Sequence, residues 1–191
     1  MMIAILLGYL AGSVPFAFLL ARRAGVDVRV AGSGNVGAAN VMRTTGTGAA
    51  VAAMALDMLK GAAAVVIAQL ASGGAALAAL TGAAAIVGHI YPVWLRFHGG
   101  KGVAVAAGVF GVLTPIATAI AAALFVLTVW STRYVSLGSI AATVVLPPAA
   151  WLVGAPRVVV ATASASAALI LFRHRTNLGR LRAGTERRLG E

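Results

Sequence analysis

Residues 103–130 read VAVAAGVFGVLTPIATAIAAALFVLTVW, 28 consecutive positions without a charge. A single helix of that length would run about 42 Å at 1.5 Å per residue, well beyond a bilayer core of roughly 30 Å. Pro115 has no amide hydrogen and interrupts a helical ladder, so the stretch is expected to form two helices, over 102–117 and 118–132. Outward from it, further apolar runs cover 2–21, 47–70, 74–93, 137–153 and 157–173, separated by short polar or glycine-proline segments. The pattern predicts an all-α integral membrane protein: seven transmembrane helices in one domain, residues 1–191.

Composition points the same way. Apolar residues make up 61% of the 191 positions and charged residues only 10%, with a mean hydropathy of +0.98. That leaves too few polar groups to cover a soluble domain. Cysteine is absent, which removes disulfides, thiolate nucleophiles and Cys-based metal sites together. No positive segment precedes the first apolar run and Arg22-Arg23 follow it, so it is expected to be a retained first span.

Fifteen basic residues face four acidic ones, for a net charge of +11. The basic residues lie at span ends and short loops, which suits lipid headgroups and phosphate groups and argues against a nucleic-acid partner. With seven spans and the N-terminus outside, 13 of the 15 fall on the inner side. They are Arg22, Arg23, Arg29, Arg43, Arg96, Lys101, Arg133, Arg173, Arg175, Arg180, Arg182, Arg187 and Arg188. Arg157 falls outside and Lys60 lies within a span. The positive-inside rule therefore selects an outside N-terminus and a cytoplasmic C-terminus. Every polar motif then faces the cytoplasm at the inner surface of a cell membrane.

Four polar segments carry the candidate chemistry. Residues 32–40 contain GxGxxG, but the string follows a membrane span rather than a buried strand, and Asp57 lies mid-helix, so a dinucleotide site is excluded. Gly32, Ser33, Gly34, Asn35, Asn40 and Arg43 read instead as donors for a small polyoxygenated anion, with a ligand-free glycine turn as the alternative. The run Phe97-His98-Gly99-Gly100-Lys101-Gly102 departs from the Walker A pattern, with no hydroxyl after the lysine. It reads as a phosphate cradle of Gly99, Gly100 and Gly102 beside Lys101, at the mouth of a helix N-terminus. A plain turn with a surface lysine is the alternative. Ser136 and Ser139 are three apart, share a helical face and can address one anion; a helix N-cap is the other reading of Ser136. Beyond the last span, His174, Asn177 and Glu186 are more than an arginine anchor requires.

Asp57 and Lys60, three apart inside the second span, are expected to pair as a structural clamp, since each unpaired charge there would cost several kcal/mol. A histidine at position 89 suits either a loop hydrogen bond or proton transfer. Three histidines without ligand spacing and few carboxylates give no metal site, and no GxSxG elbow suggests a serine triad. No cofactor is expected.

These strings together resemble the bacterial acyl-phosphate:glycerol-3-phosphate acyltransferases, over the whole chain. The resemblance is carried by Gly12-Ser13-x-Pro15, the GSGNxGAxN loop ending in Arg43, and Asp57-x-x-Lys60-Gly61. It continues in GHxYPxxxxFxGGKGVA at 88–104, Arg133-Tyr134-x-Ser136-Leu137-x-Ser139, His174-Arg175-x-Asn177-x-x-Arg180-Leu181 and Gly184-Thr185-Glu186. It implies seven transmembrane helices and transfer of a fatty acyl group from acyl phosphate to the 1-hydroxyl of glycerol 3-phosphate. It also implies a polar site containing Ser33, Arg43, Lys101, Ser136 or Ser139, His174 and Asn177. A soluble enzyme that makes acyl phosphate from acyl-acyl carrier protein is the implied functional partner. Two positions depart from the family pattern, each losing a hydroxyl: Ala39 and Val105 stand where threonine is usual. A transporter for a phosphorylated solute and a non-catalytic lipid-binding scaffold are the competing readings.

Overall fold

A computed structural model of the chain describes residues 1–72 and 74–190; Glu191, the fourth carboxylate, lies outside the described residues. Helices α1 (Met2–Ser13) and α2 (Phe16–Arg23) replace the expected single helix over 2–21. Val14, preceding a proline, is held extended at φ −59°, ψ 116°, the conformation that proline forces on its predecessor. The remaining helices are α3 (Ala38–Thr44), α4 (Thr47–Ser72), α5 (Ala75–Ile90), α6 (Val103–Leu113), α7 (Pro115–Thr132), α8 (Val135–Leu152), α9 (Arg157–Arg173) and α10 (Arg175–Arg182). A single 3₁₀ turn covers Val93–Leu95 between α5 and α6.

The stretch 103–130 does divide in two, at Thr114 rather than after 117. Pro115 takes the first helical position of α7, where its missing amide hydrogen is not needed. Among the described residues, five segments are long and apolar enough to cross a membrane: Met2–Arg23 taken through its break, Thr47–Ala71, Ala75–Leu95, Pro115–Thr132 and Val135–Leu152. The pair α9 and α10, bent by 54°, makes a sixth. With 11 residues, α6 is about 16 Å long, half a bilayer core. The short α3 and α10 were hidden in segments whose composition reads as polar loop.

Packing neighbours run from α5 through α4, α6, α7, α8 and α9 back to α5, with α1 against α4 and α5. Small residues set these contacts. A Cβ at Gly12 would come within 2.1 Å of the Ala85 carbonyl oxygen, and one at Gly108 within 1.9 Å of that of Met58, so the helix backbones touch there as membrane helices do. One large apolar core, including Val65, Ile86, Val105, Val109, Phe110 and Ile170, joins α4, α5, α6, α8 and α9. A smaller one, with Ala17, Val28, Val36, Val41, Ala53 and Leu95, fastens the loop carrying Ser33 and the helix carrying Arg43 onto α2 and α4.

Candidate active site

A groove of about 690 Å³ lies among α3, α4, α6, α7, α8, α9 and α10. Along most of its length it is walled by apolar side chains, including Met54, Met58, Phe110, Phe125, Val129 and Leu146. Two wall residues inside membrane-spanning helices, Met54 of α4 and Val126 of α7, are 42% and 60% exposed, so the groove is open sideways at the level of the spans rather than enclosed. At one end the lining turns polar: Ser33, Asn35, Arg43, Lys101, Ser136, Ser139, His174, Asn177, Arg180, Glu186 and Arg187. Residues from every candidate polar segment thus meet at one end of one cavity, although Ser33 and Arg187 are 154 positions apart in sequence.

The centre of that end is a chain of charge-assisted hydrogen bonds. Lys101 Nζ donates to Asn177 Oδ1. Asn177 Nδ2 donates to Glu186 Oε1 at 2.6 Å, and Arg180 Nε donates to Glu186 Oε2 at 2.6 Å. Burial is the main influence on Lys101, bringing its pKa down to about 8; Glu186 pulls the other way, and Arg180, Arg173 and Arg43 reinforce the drop. Burial pushes the Glu186 carboxyl up, but Ser136, Arg180 and Asn177 together hold it below the ordinary glutamate value. The Ser136 hydroxyl is buried without a well-formed hydrogen bond, so its effect on Glu186 is one of proximity. With one carboxylate among Lys101, Arg43, Arg180 and Arg187, the groove end carries surplus positive charge.

His174 joins α9 to α10 and is buried, and burial lowers its pKa to about 4. Its Nδ1 lies 2.8 Å from the Ile170 carbonyl, which only accepts; the proton is therefore assigned to Nδ1, leaving a lone pair on Nε2. Helix α10 explains how the segment is read locally: His174, Asn177 and Arg180 recur every three residues and share a face.

The glycine segments do their work sterically. Gly99 N–H donates to the Ile90 carbonyl and Gly100 N–H to that of His89, both at 3.1 Å, so these two amides are turned toward the end of α5. Gly102, at φ 94°, is the N-cap of α6, and the unpaired amides of that helix's first turn emerge beside Lys101. In the first loop, Asn40 is a brace. Its Oδ1 accepts from Ser33 N–H at 2.8 Å and its Nδ2 donates to the Val28 and Ala31 carbonyls at 3.0 Å. Gly32 sits at φ 63°, where a Cβ would meet Asn40 Oδ1 at 2.3 Å. Gly34 completes the turn at φ 71°, its N–H donating to the Ala31 carbonyl. Ser33 and Asn35 are thereby presented on the groove rim.

On α8, Tyr134 is the N-cap, so the capping alternative for Ser136 does not hold; Ser139 Oγ donates to the Val135 carbonyl at 2.9 Å. Of the two departures from the family pattern, Ala39 lines the groove, whereas Val105 is fully buried in the large core.

Sequence reasoning left Arg180, Glu186 and Arg187 out of the site. The available signal was Glu186 itself, the lone carboxylate among the last eight arginines. The tail carrying it folds back over the α7–α8 turn: Leu189 N–H donates to the Arg133 carbonyl at 2.6 Å, and Arg188 lies over the Tyr134 ring. Asp57 and Lys60 form the expected pair, 2.8 Å apart, His89 joins them, and Asp57 and His89 also border the groove.

Comparison with known proteins follows the same lines. The glycerol-3-phosphate acyltransferase family model matches residues 2–184. Curated glycerol-3-phosphate acyltransferases from Nitrobacter winogradskyi and Rubrobacter xylanophilus are 48% and 47% identical, over 99% and 97% of this chain and 96% and 94% of their own lengths. Glycerol-3-phosphate acyltransferase 1 of Deinococcus radiodurans is 44% identical over 100% of this chain and 96% of its own. The fold is similar to crystal structures of PlsY, an integral membrane glycerol 3-phosphate acyltransferase, in its glycerol 3-phosphate and lysophosphatidic acid forms. Both are 39% identical, cover 99% of this chain and 95% of theirs, and superpose with TM-scores of 0.95 and 0.93. A chain matched over nearly all of its length by these relatives and by the family model belongs to the glycerol-3-phosphate acyltransferase family.

Proposed function

We propose that the protein transfers a fatty acyl group from acyl phosphate to the 1-hydroxyl of glycerol 3-phosphate, releasing 1-acylglycerol 3-phosphate and inorganic phosphate. The observation that carries this reading is the continuity of one groove, cationic at one end and apolar along the rest. Such a cavity suits a phosphorylated polyol and a fatty chain held together. Both reactants are anionic, so bringing them into contact requires surplus cations and directed donors. Arg43 and Lys101 supply the charge, while Ser33, Asn35, Ser136, Ser139 and Asn177 orient hydroxyl and phosphate oxygens. The amides at the start of α6 and the guanidinium groups of Arg180 and Arg187 face the second phosphate.

The chemistry needs no acyl-enzyme, because acyl phosphate is already a mixed anhydride. The C1 oxygen of glycerol 3-phosphate attacks the acyl carbonyl carbon, the bond from that carbon to the phosphate oxygen breaks, and phosphate leaves with the electron pair. The hydroxyl proton passes to a base. The neutral His174 offers its Nε2 lone pair for this, and the phosphate of glycerol 3-phosphate is the substrate-borne alternative. Holding the reactants in register provides much of the acceleration.

The bilayer arrangement proposed with this is seven spans, counting α6 as a short one, with the N-terminus outside and the polar end of the groove at the cytoplasmic face of a bacterial inner membrane. It is supported by the basic residues of the loops. The acyl phosphate would come from a soluble enzyme acting on acyl-acyl carrier protein.

The direct test supplies palmitoyl phosphate and glycerol 3-phosphate to purified protein and follows phosphate release with and without added metal. Phosphate and lysophosphatidic acid should appear in equal amounts. Activity with acyl-coenzyme A or acyl carrier protein alone, and none with acyl phosphate, would overturn the donor assignment. Movement of glycerol 3-phosphate across sealed vesicles without acylation would favour a transporter.

A further inference from the structure

Three buried polar side chains lie behind the glycine loop: Asp57 and Lys60 one turn apart on α4, and His89 in the last turn of α5. Lys60 Nζ is 2.8 Å from Asp57 Oδ1, donates to the Val14 carbonyl at 2.7 Å, and is 3.1 Å from His89 Nδ1. An ammonium has three protons to donate and no lone pair. Two of them have hydrogen-bond partners and the charge is paired with Asp57; with Lys60 as the donor, Nδ1 of His89 is the acceptor, which assigns the ring proton to Nε2. The Val14 carbonyl is available because Pro15 ends α1 one residue later.

The far edge of the same ring meets the loop before Lys101. A Cβ on Gly100 would lie 2.2 Å from His89 Nε2 and 2.9 Å from its Cε1, so only glycine lets the loop rest on the ring. The His89 and Ile90 carbonyls accept the Gly100 and Gly99 amides. From the other side, Arg173 donates to the Gly99 and Gly100 carbonyls at 3.3 and 3.4 Å and lies over the Tyr91 ring. Holding α4 against α5 would need only the Lys60–His89 contact; the ring seated under Gly100 adds a fixed height and tilt for the loop.

We propose that His89, kept in one orientation by Lys60 and Asp57, is a positioning residue that sets the Gly99–Gly100 turn and so fixes where the Lys101 ammonium meets the phosphate of glycerol 3-phosphate. The inference rests on the reading of Lys101 as an acceptor-site cation. His89 also borders the groove; the role proposed for it runs through the loop, by the contact of its ring with Gly100.

Two variants test it. Asp57→Asn with Lys60→Met removes both charges at nearly constant volume and strands no lone charge. His89→Asn retains an acceptor near the Nδ1 position and removes the ring edge under Gly100. Each full-length protein is compared with wild type by amide hydrogen exchange and by steady-state kinetics with glycerol 3-phosphate varied at saturating palmitoyl phosphate. Exchange over 99–101 should rise at least about tenfold while that of α7 and α8 is unchanged, the signature of local rather than global opening. KM for glycerol 3-phosphate should rise about tenfold with kcat within about threefold, as expected when a binding group is misplaced. Wild-type exchange over 99–101 and wild-type KM in either folded variant would overturn the proposal. So would faster exchange across all helices with unchanged kinetics, which assigns a helix clamp and nothing more. If the double variant does not fold, His89→Asn decides alone. If wild-type protein does not turn over palmitoyl phosphate, the acyl-transfer reading fails, while the exchange measurement still decides whether His89 holds the loop.

Discussion

The protein contains two buried polar networks built from similar parts and left in opposite states. Behind the glycine loop, one ammonium, one carboxylate and one imidazole close on each other, and the Lys60 charge is met by that of Asp57. At the end of the groove, Lys101, Asn177, Glu186 and Arg180 also form a chain, yet with Arg43 and Arg187 beside it the cations there outnumber Glu186 four to one. The first network is neutral and self-contained; the second is complete only when an anion arrives. Charge balance distinguishes the part that holds the fold from the part that receives a ligand.

The comparison would break most visibly at Lys60. Replacing it alone with methionine leaves the buried Asp57 without its ammonium, with the His89 ring 3.6 Å away, which should destabilise the fold by up to about 3–5 kcal/mol, whereas adding Asp57→Asn should recover most of that loss. Thermal unfolding in detergent measures both; equal stability of the single and double variants would mean that the two charges are not coupled. The groove network should behave in the reverse sense. Lys101→Ala removes a cation that is buried in surplus, so unfolding should change little while kcat/KM for glycerol 3-phosphate falls about 10²–10³-fold, read by phosphate release.

A pH profile sharpens the same contrast. With the Lys101 pKa at about 8, kcat/KM should decline above pH 8, approaching tenfold per unit as the ammonium is lost. Lys101→Arg should move that limb out of range. The stability contribution of this group runs the other way. Its folded pKa lies below the ordinary lysine value of 10.5, so the unfolded chain holds the proton more tightly and stability rises between about pH 8 and 10.5. Loss of activity there accordingly reports the site and not unfolding. The smallest effects belong to the two missing hydroxyls. Ala39→Thr, on the groove wall, should change KM by about twofold. Val105→Thr, buried in the core, should leave kinetics alone and lower stability by about 1–2 kcal/mol.

Much of this was legible in the chain. Periodic apolar runs and Pro115 gave the helices and the division of 103–130, because burial in lipid demands continuous hydrogen-bonded backbone and proline cannot supply it. Motif chemistry led to Lys101, Asn177 and His174, which the fold brings to one cavity. The direction of individual hydrogen bonds was hidden. Asn40 reads as a ligand by type, but its amide is occupied by the Val28 and Ala31 carbonyls. Gly99 and Gly100 read as phosphate donors, but their amides face α5. The role of Glu186 depends on a tail that reverses direction after α10, and composition does not report such a reversal. The union of His89 with Asp57 and Lys60 depends on the lateral pairing of α4 and α5, which hydropathy leaves undetermined.

The sideways opening at Met54 and Val126 changes what concentration means for this enzyme. A reactant or product that passes through that gap never dissolves in bulk water, so occupancy is set by its mole fraction in the surrounding leaflet. Diluting vesicles with buffer should leave saturation by the lipid partner unchanged, whereas diluting the leaflet with inert lipid should lower it in proportion.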